Sequence, residues 1–99
     1  MKIARLDLDK YTREEQFYKV REEFEEVVEA FSEKTEEDLV EELWDLIQAS
    51  FGLLFKILPT LKLFKVSYNI HRAKMRSRER EGRIKVNGWV EVDSDWIDI

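Results

Sequence analysis

Two groups of acidic residues in this chain have a spacing that could bind a cation. The stretch EEFEEVVEAF, residues 22–31, is half glutamate, and Glu42 and Asp45 lie three residues apart in the segment EELWDLIQASFGLLF. Carboxylates three or four residues apart on a helix are neighbours and repel each other. Aspartate is a poor residue for a helix interior, and a partly buried carboxylate is costly without a compensating positive charge. A divalent cation shared by both groups would remove the repulsion.

The cation that best suits these ligands is Mg²⁺, with Mn²⁺ as a substitute. Mg²⁺ takes hard oxygen ligands in octahedral geometry and keeps water and substrate phosphates in its shell. His71 is the only histidine and there is no cysteine, so the chain lacks a ligand cluster for zinc or a redox metal, and a Cys-His or Ser-His nucleophile is not indicated. The alternative interpretation is a solvated acidic helix face, which is the commoner cause of such a glutamate run.

The charges are distributed unevenly along the chain. The net charge is −5, and most of the 22 acidic residues lie before residue 46, whereas none lies between residues 46 and 78. An acidic half followed by a basic half argues against nucleic-acid binding, which requires an uncompensated basic face. This distribution suits a site that holds cations and an anionic ligand together.

Chain length and composition indicate one domain, residues 1–99. The absence of cysteine fits a reducing compartment, and the polar N-terminus does not resemble a secretory signal. The longest uncharged run, residues 46–55, is far shorter than the roughly 20 residues that span a bilayer. We therefore expect a cytoplasmic protein with no membrane partner.

Hydrophobic periodicity predicts an all-α fold, a bundle of about three to four helices. Thr12 is a candidate N-cap for the first helix, and Glu15 completes a capping box. Pro59 should end or kink the second helix and Gly82 should end the third. The predicted helices span about residues 11–32, 36–58 and 61–80.

The C-terminal part of the chain carries the pattern of a short β-hairpin. Asn87-Gly88 suits a type I′ turn, and apolar residues alternate on both sides of it. The predicted hairpin spans about residues 83–92, with Ile84 and Val86 before the turn and Val90 and Val92 after it.

Residues 46–64 are apolar on nearly every helix face. A helix that is hydrophobic all round must be buried, and three helices with a hairpin cannot enclose one of their own number. We therefore expect that dimerisation, or assembly into a homotetramer, completes the bundle.

The two acidic motifs together resemble the EExxE…ExxD pattern of the MazG-like all-α nucleoside triphosphate pyrophosphohydrolases. Glu22, Glu23 and Glu26 fill EExxE. Glu42 and Asp45 fill ExxD, and Glu29-Ala30-Phe31 follows the first motif in the register of the family. The register Glu25, Glu26 and Glu29 also satisfies the first motif, so the exact ligands stay open by one turn.

The resemblance implies hydrolysis of a ribo- or deoxyribonucleoside triphosphate to the monophosphate and pyrophosphate. It also implies a role in nucleotide-pool housecleaning. The Mg²⁺ ligands would be Glu23, Glu26, Glu42 and Asp45. The Mg²⁺ that they hold would bridge phosphate oxygens of the substrate. The catalytic residues would be Glu22, Glu23 and Glu26, with Glu22 or Glu29 orienting the attacking water.

The basic end of the third helix would supply the contacts to the triphosphate. The segment YNIHRAKMRSRERE is similar to the phosphate-binding region of the family at Lys74 and Arg78. Asn69, a further candidate, lies between one and two helical turns before Lys74. Trp44, beside the second motif, is a candidate for stacking on the nucleobase. A solvated basic helix end explains the same residues equally well.

Two other functions remain open at this point. A non-catalytic helical interaction module would explain the apolar second helix and the charge asymmetry, but it leaves Glu42 and Asp45 without a cause. A relative that acts on a phosphoribosylated nucleotide would share the same motifs. Measurement of pyrophosphate release from a panel of nucleotides distinguishes the three.

Overall fold

The computed structural model describes residues 3–89 and contains only α-helices as regular elements in that range. The helices are α1, Arg13–Glu33, α2, Glu36–Ile57, and α3, Leu61–Arg80. The all-α prediction is confirmed, and each predicted boundary lies within two residues of the observed one. By their internal contacts the described residues divide into two units, residues 4–57 and residues 58–89 together with residue 3. Each unit is described by itself below, and the single-domain assignment stays a prediction.

The start of α1 is fixed by a reciprocal cap. The Thr12 side chain accepts a hydrogen bond from the backbone N–H of Glu15, and the Glu15 carboxylate accepts one from the backbone N–H of Thr12. Both bonds satisfy donors that a helix N-terminus otherwise leaves without partners. This cap sets the register of the glutamates that follow in α1.

α1 and α2 form an antiparallel helical hairpin. Only Lys34 and Thr35 connect them, and residues near the start of α1 lie beside residues late in α2. At their crossing the Gln16 Nε2 atom donates a 3.0 Å hydrogen bond to the Ala49 carbonyl oxygen. A Cβ atom on Gly52 would lie 2.8 Å from Gln16 Nε2, so the absence of a side chain at position 52 lets the helices approach closely.

The face that α1 buries is small and polar. The buried residues of α1 are Gln16, Glu23 and Ala30, which are seven residues apart and therefore lie on one face of the helix. Most of the large apolar residues of α1 lie elsewhere, and Phe17, Phe24, Val28 and Phe31 are exposed. A glutamate thus occupies the centre of the buried stripe of α1.

The N-terminal segment before α1 runs along α2. The Gln48 Nε2 atom donates a 2.7 Å hydrogen bond to the Ala4 carbonyl oxygen, and the Arg5 guanidinium lies 5.1 Å from the centroid of the Phe55 ring. This segment supplies one wall of a cleft described below.

α3 has a cap at each end. The Thr60 side chain accepts a hydrogen bond from the backbone N–H of Leu63. At the other end Gly82 adopts a φ of 74°, and the N–H groups of Gly82 and Arg83 donate to the carbonyl oxygens of Glu79 and Arg78. This is the left-handed glycine termination that the sequence predicts for the third helix.

The predicted β-hairpin at residues 83–92 is not observed in the described chain. Residues 83–89 form no strand; instead, the backbone N–H of Val86 donates a hydrogen bond to the Glu79 carboxylate. The second half of the predicted hairpin, with Val90 and Val92, lies outside the described residues. A turn signal favours a hairpin only where two strands pair, and residues 84–86 have no strand partner within the described range.

Within residues 3–89 no single helix has the length and composition needed to cross a membrane, although α2 and α3 pass that test when they are combined across the break between them.

Candidate metal and phosphate site

Three carboxylates meet where α1 crosses the first half of α2. Glu23 and Glu26 are three residues apart on α1, and Glu42 belongs to α2. One oxygen from each of the three side chains lies within 4.8 Å of the others. The i, i+3 spacing on α1 and the antiparallel packing of α2 therefore combine into a single acidic cluster.

Two oxygens of this cluster are buried without a hydrogen-bond partner. They are Glu23 Oε2 and Glu42 Oε2. Glu23 is only 7% exposed, whereas Glu26 and Glu42 are half-buried. A buried polar atom without a partner costs about 1–3 kcal/mol, and more when it is charged. These two buried oxygens can therefore accept a bond from a cation or from a hydrogen-bond donor.

The pKa of Glu26 reflects the close approach of the three carboxylates. The pKa of Glu26 is raised from 4.5 to about 7, first because its protonated carboxyl group hydrogen-bonds to Glu42, and further because of the hydrogen bond to Glu23 and the charge of Glu23. A proton on Glu26 thus partly compensates the negative charges that a cation would otherwise compensate.

A hard divalent cation fits this group of residues. Ligand oxygens about 2.1 Å from Mg²⁺ lie about 3.0 Å apart when adjacent on the octahedron and about 4.2 Å apart when opposite. The oxygens of Glu23, Glu26 and Glu42 lie within 4.8 Å of one another, so small side-chain movements would bring them to these separations. The two oxygens without partners supply the unused ligand capacity.

The Lys19 side chain contacts the cluster at Glu23. The Lys19 ammonium lies 3.0 Å from Glu23 Oε1 and 3.6 Å from Glu22 Oε1. The pKa of Lys19 is raised, first because of its hydrogen bond to Glu23 and then because of the charges of Glu23 and Glu22. One oxygen of Glu23 is therefore paired with Lys19 while its other oxygen is free.

A cleft of about 630 Å³ opens beside the cluster, a volume in the usual range for small-molecule sites. The first turns of α1, the middle of α2 and the N-terminal segment form its walls. Its acidic residues are Glu15, Glu22, Glu23 and Asp45, and its apolar and aromatic residues include Leu6, Leu8, Tyr11 and Tyr18. Glu23 belongs to both the cleft and the cluster, so the two are adjacent.

Asp45 and Glu22 lie at the cleft instead of in the cluster. Both side chains are exposed, and Asp45 follows Glu42 by one turn of α2. The four predicted metal ligands are therefore arranged as three that converge and a fourth, Asp45, on the adjoining wall.

The alternative register of the first motif is arranged differently. Glu25 is exposed and pairs with Arg21 at 3.3 Å, and Glu29 is exposed and pairs with Lys34 at 4.0 Å. Glu26 is common to both registers. Of the residues that differ between the registers, only Glu23 lies in the cluster, and the choice of register stays a prediction.

The predicted substrate-binding residues are not among those that line the cleft in the described chain. Trp44 is half-exposed on α2. On α3, in the other unit, Asn69 and Lys74 are exposed and Arg78 is half-buried, with its Nη1 atom 3.9 Å from Met75 Sδ. Their contribution to the site stays a prediction.

Two other arginines of α3 have a partner that the sequence did not specify. The guanidinium groups of Arg72 and Arg76 lie 5.3 Å and 5.9 Å from the centroid of the Trp89 ring. These are cation–π distances, so Trp89 covers part of the basic surface of α3.

Sequence reasoning also missed Lys19 and Gln16. The only local signal for Lys19 was its i, i+4 spacing to Glu23, which is common on helix surfaces. The contact of Gln16 with Ala49 joins residues 33 positions apart, and no sequence pattern indicated it.

Comparison with known proteins gives one informative result. A protein-family model described as phosphoribosyl-ATP pyrophosphohydrolase matches residues 7–74, which include all of α1 and α2 and most of α3. The comparisons with curated proteins and with solved structures give no match. The matched range is more than half of the chain and contains the acidic cluster and every residue that lines the cleft except Leu6.

Proposed function

Because the chain belongs to the phosphoribosyl-ATP pyrophosphohydrolase family, which is part of the MazG-like all-α superfamily, we propose that it is a Mg²⁺-dependent nucleotide pyrophosphohydrolase. It would hydrolyse the bond between the α- and β-phosphates of a nucleotide and release pyrophosphate. The family itself implies pyrophosphohydrolase activity on a nucleotide-related substrate. The metal, the exact substrate and the residue roles are the proposed part.

The acidic cluster is the observation that carries the proposal. Glu23, Glu26 and Glu42 come from two helices and converge within 4.8 Å, and two of their oxygens are buried without partners. A solvated acidic face does not bury a glutamate to 7% exposure, since an unpaired buried charge is costly. A cation that binds these oxygens would offset the cost.

Each carboxylate then has a distinct role. Glu23 and Glu42 would bind the metal through their free oxygens, with Glu26 as a third ligand. When bound, Mg²⁺ would neutralise charge on the phosphate oxygens and lower the pKa of a coordinated water. Glu22 lines the cleft next to Glu23 and would orient the attacking water, whereas Glu29 pairs with Lys34. Asp45, on the opposite helix, would hold a second ion or the water shell of the first.

Two substrate classes have support. The family description favours a phosphoribosylated nucleotide, phosphoribosyl-ATP. The motifs EExxE and ExxD favour a free nucleoside triphosphate as well, because they concern only the phosphate chain. Both substrates contain the same triphosphate, so the role of the cluster is the same for either.

We also propose that the working protein is a homodimer or a larger homo-oligomer. α1 exposes a stripe of large apolar side chains, of which Phe31 is 77% exposed. α2 exposes a second set, which includes Val40, Leu43, Trp44 and Ile47. Exposed apolar patches of this kind usually mark an interface. A second copy of this chain is the simplest partner, and a cytoplasmic location suits a nucleotide substrate.

The proposal can be tested by measuring pyrophosphate release from phosphoribosyl-ATP and from the common ribo- and deoxyribonucleoside triphosphates, with Mg²⁺ and with a chelator. We expect release from at least one of them, only with the metal. Glu26→Gln should lower the rate by on the order of 100-fold or more, and the neighbouring Glu25→Gln should not, because Glu25 pairs with Arg21 outside the cluster. No release from any nucleotide would favour the interaction module instead.

A further inference from the structure

The cleft beside the acidic cluster is a poor environment for a phosphate chain unless cations enter it. Its lining includes four carboxylates, those of Glu15, Glu22, Glu23 and Asp45. Lys19 is the only basic side chain among the described residues that line it. A triphosphate is strongly negative and would be repelled by this wall. Lys19 is therefore the one positive group that the cleft itself can offer to a phosphate.

Lys19 is paired with two carboxylates of the cleft wall. Its ammonium lies 3.0 Å from Glu23 Oε1 and 3.6 Å from Glu22 Oε1. It thus supplies the positive charge next to the cluster when no divalent cation is bound. Glu23 is a shared group, since its other oxygen, Oε2, is buried without a partner.

The ion pair between Lys19 and Glu23 can be replaced by a bond between Glu23 and a divalent cation. The Lys19 side chain is 50% exposed whereas that of Glu23 is 10% exposed, so Lys19 can leave at little cost to itself only when another cation takes its place on the buried carboxylate. A lysine ammonium also has a long flexible stem and several rotatable N–H donors. A divalent cation on Glu23 would neutralise the carboxylate and weaken the attraction.

We propose that Lys19 is a phosphate-binding residue of the cleft that Glu23 holds until a divalent cation replaces it, and that its released ammonium then binds the phosphate chain. This inference rests on the proposed function of the same site. The cation and the phosphate would then bind cooperatively, because the first releases the ammonium that the second requires.

A purely structural role for Lys19 makes a different prediction. If the ammonium only positions Glu23, its removal should weaken binding of the metal, because Glu23 would lose its orientation. If it is exchanged, its removal should leave metal binding unchanged or make it tighter, because a competing cation is gone. Binding of the metal alone therefore separates the two roles without any measurement of activity.

The experiment is calorimetric titration of the full chain and three variants, first with Mg²⁺ alone and then with the α,β-methylene analogue of ATP at saturating Mg²⁺. The variants are Lys19→Met, Lys19→Arg and the matched control Arg21→Met, which removes an i, i+4 ion pair with Glu25 on the same helix. Lys19→Met should bind Mg²⁺ at least as tightly as wild type and the analogue about tenfold more weakly or worse. Lys19→Arg should restore most of the analogue binding, and Arg21→Met should change neither.

Three results would overturn the inference. The first is weaker Mg²⁺ binding by Lys19→Met, and the second is unchanged binding of the analogue; a thermal melt of each variant establishes that it is folded. The third is a wild-type chain that binds neither Mg²⁺ nor the analogue, which overturns the proposed function and this inference with it. If the wild type binds both and Lys19→Met behaves like Arg21→Met, only the role of Lys19 is wrong.

Discussion

Glu42→Gln should stabilise the metal-free protein and abolish its response to Mg²⁺. The substitution keeps the shape of the side chain, removes one of three converging charges, and places an amide donor next to the carboxylates of Glu23 and Glu26. The buried Oε2 atom of Glu42 has no hydrogen-bond partner. A hydrogen bond to a charged group contributes about 1.5–3 kcal/mol, and partial exposure of Glu42 reduces this to about 1 kcal/mol.

The stabilisation by Glu42→Gln and the stabilisation by Mg²⁺ can each be stated as a change in melting temperature. For a domain of this length about 1 kcal/mol corresponds to a change of about 4–8 °C, so metal-free Glu42→Gln should melt that much higher than wild type. Mg²⁺ at about 100 times its dissociation constant should stabilise the wild type by about 2.7 kcal/mol, or roughly 10–20 °C. The variant should lose most of this gain. The order of the two melting temperatures should therefore reverse between chelator and Mg²⁺.

Thermal melts followed by circular dichroism, with chelator and with Mg²⁺, measure both effects on one preparation. The control is Glu41→Gln, an exposed residue of α2 with the same charge change outside the cluster. It should leave both the melting temperature and the response to Mg²⁺ close to those of wild type. If Glu42→Gln melts lower than wild type in chelator, or keeps the full response to Mg²⁺, the cluster is not a metal site held under charge repulsion.

Three further outcomes are expected. Asp45→Asn should lower pyrophosphate release by orders of magnitude with little change in melting temperature, because Asp45 is exposed at the cleft; a parallel loss of stability would assign it a structural role. The folded pKa of Glu26, about 7, lies above the unfolded value of 4.5, so its contribution to stability is complete below pH 4.5 and is lost as the pH rises through 7. Melts in chelator should show this component in wild type, and Glu26→Gln should lack it. The wild type should sediment as a dimer or larger at micromolar concentration, and Phe31→Glu should shift it toward monomer; a wild-type monomer without concentration dependence would contradict the oligomer.

The helices were predictable because their ends are set by local chemistry. Thr12 and Glu15 form the capping box that their spacing indicates, and Gly82 takes the left-handed conformation that ends α3. These signals involve residues three to five apart, so they do not depend on the rest of the fold. The hairpin prediction also began from a local signal, Asn87-Gly88, but a strand requires a partner to pair with.

The buried face of α1 was not predictable from hydrophobicity. Hydrophobic periodicity predicts that α1 buries the stripe through Phe24 and Phe31, with Glu23 at its border. In the structure the stripe through Gln16, Glu23 and Ala30 faces α2, and Phe24 and Phe31 are exposed. Periodicity identifies an apolar face but not whether it packs within the chain or against another copy. The motif contains the three glutamates that converge, Glu23, Glu26 and Glu42, but how deeply they lie between the two helices follows from packing.

The small residues of the α1–α2 interface explain why the site can exist there. Ala30, Ala49 and Gly52 are buried and have little or no side chain, so the two helices approach closely enough for carboxylates from each to converge. This arrangement gives up apolar burial, since large side chains would fill the interface and separate the helices. It also places repelling charges at the centre of the hairpin. A chain selected only for stability would have neither the small residues nor the repelling charges at this interface, because both lower the free energy of unfolding. Features that lower stability in this way usually belong to a functional site. The metal that would compensate the charges would then also stabilise the hairpin, so folding and metal binding in this protein should be coupled.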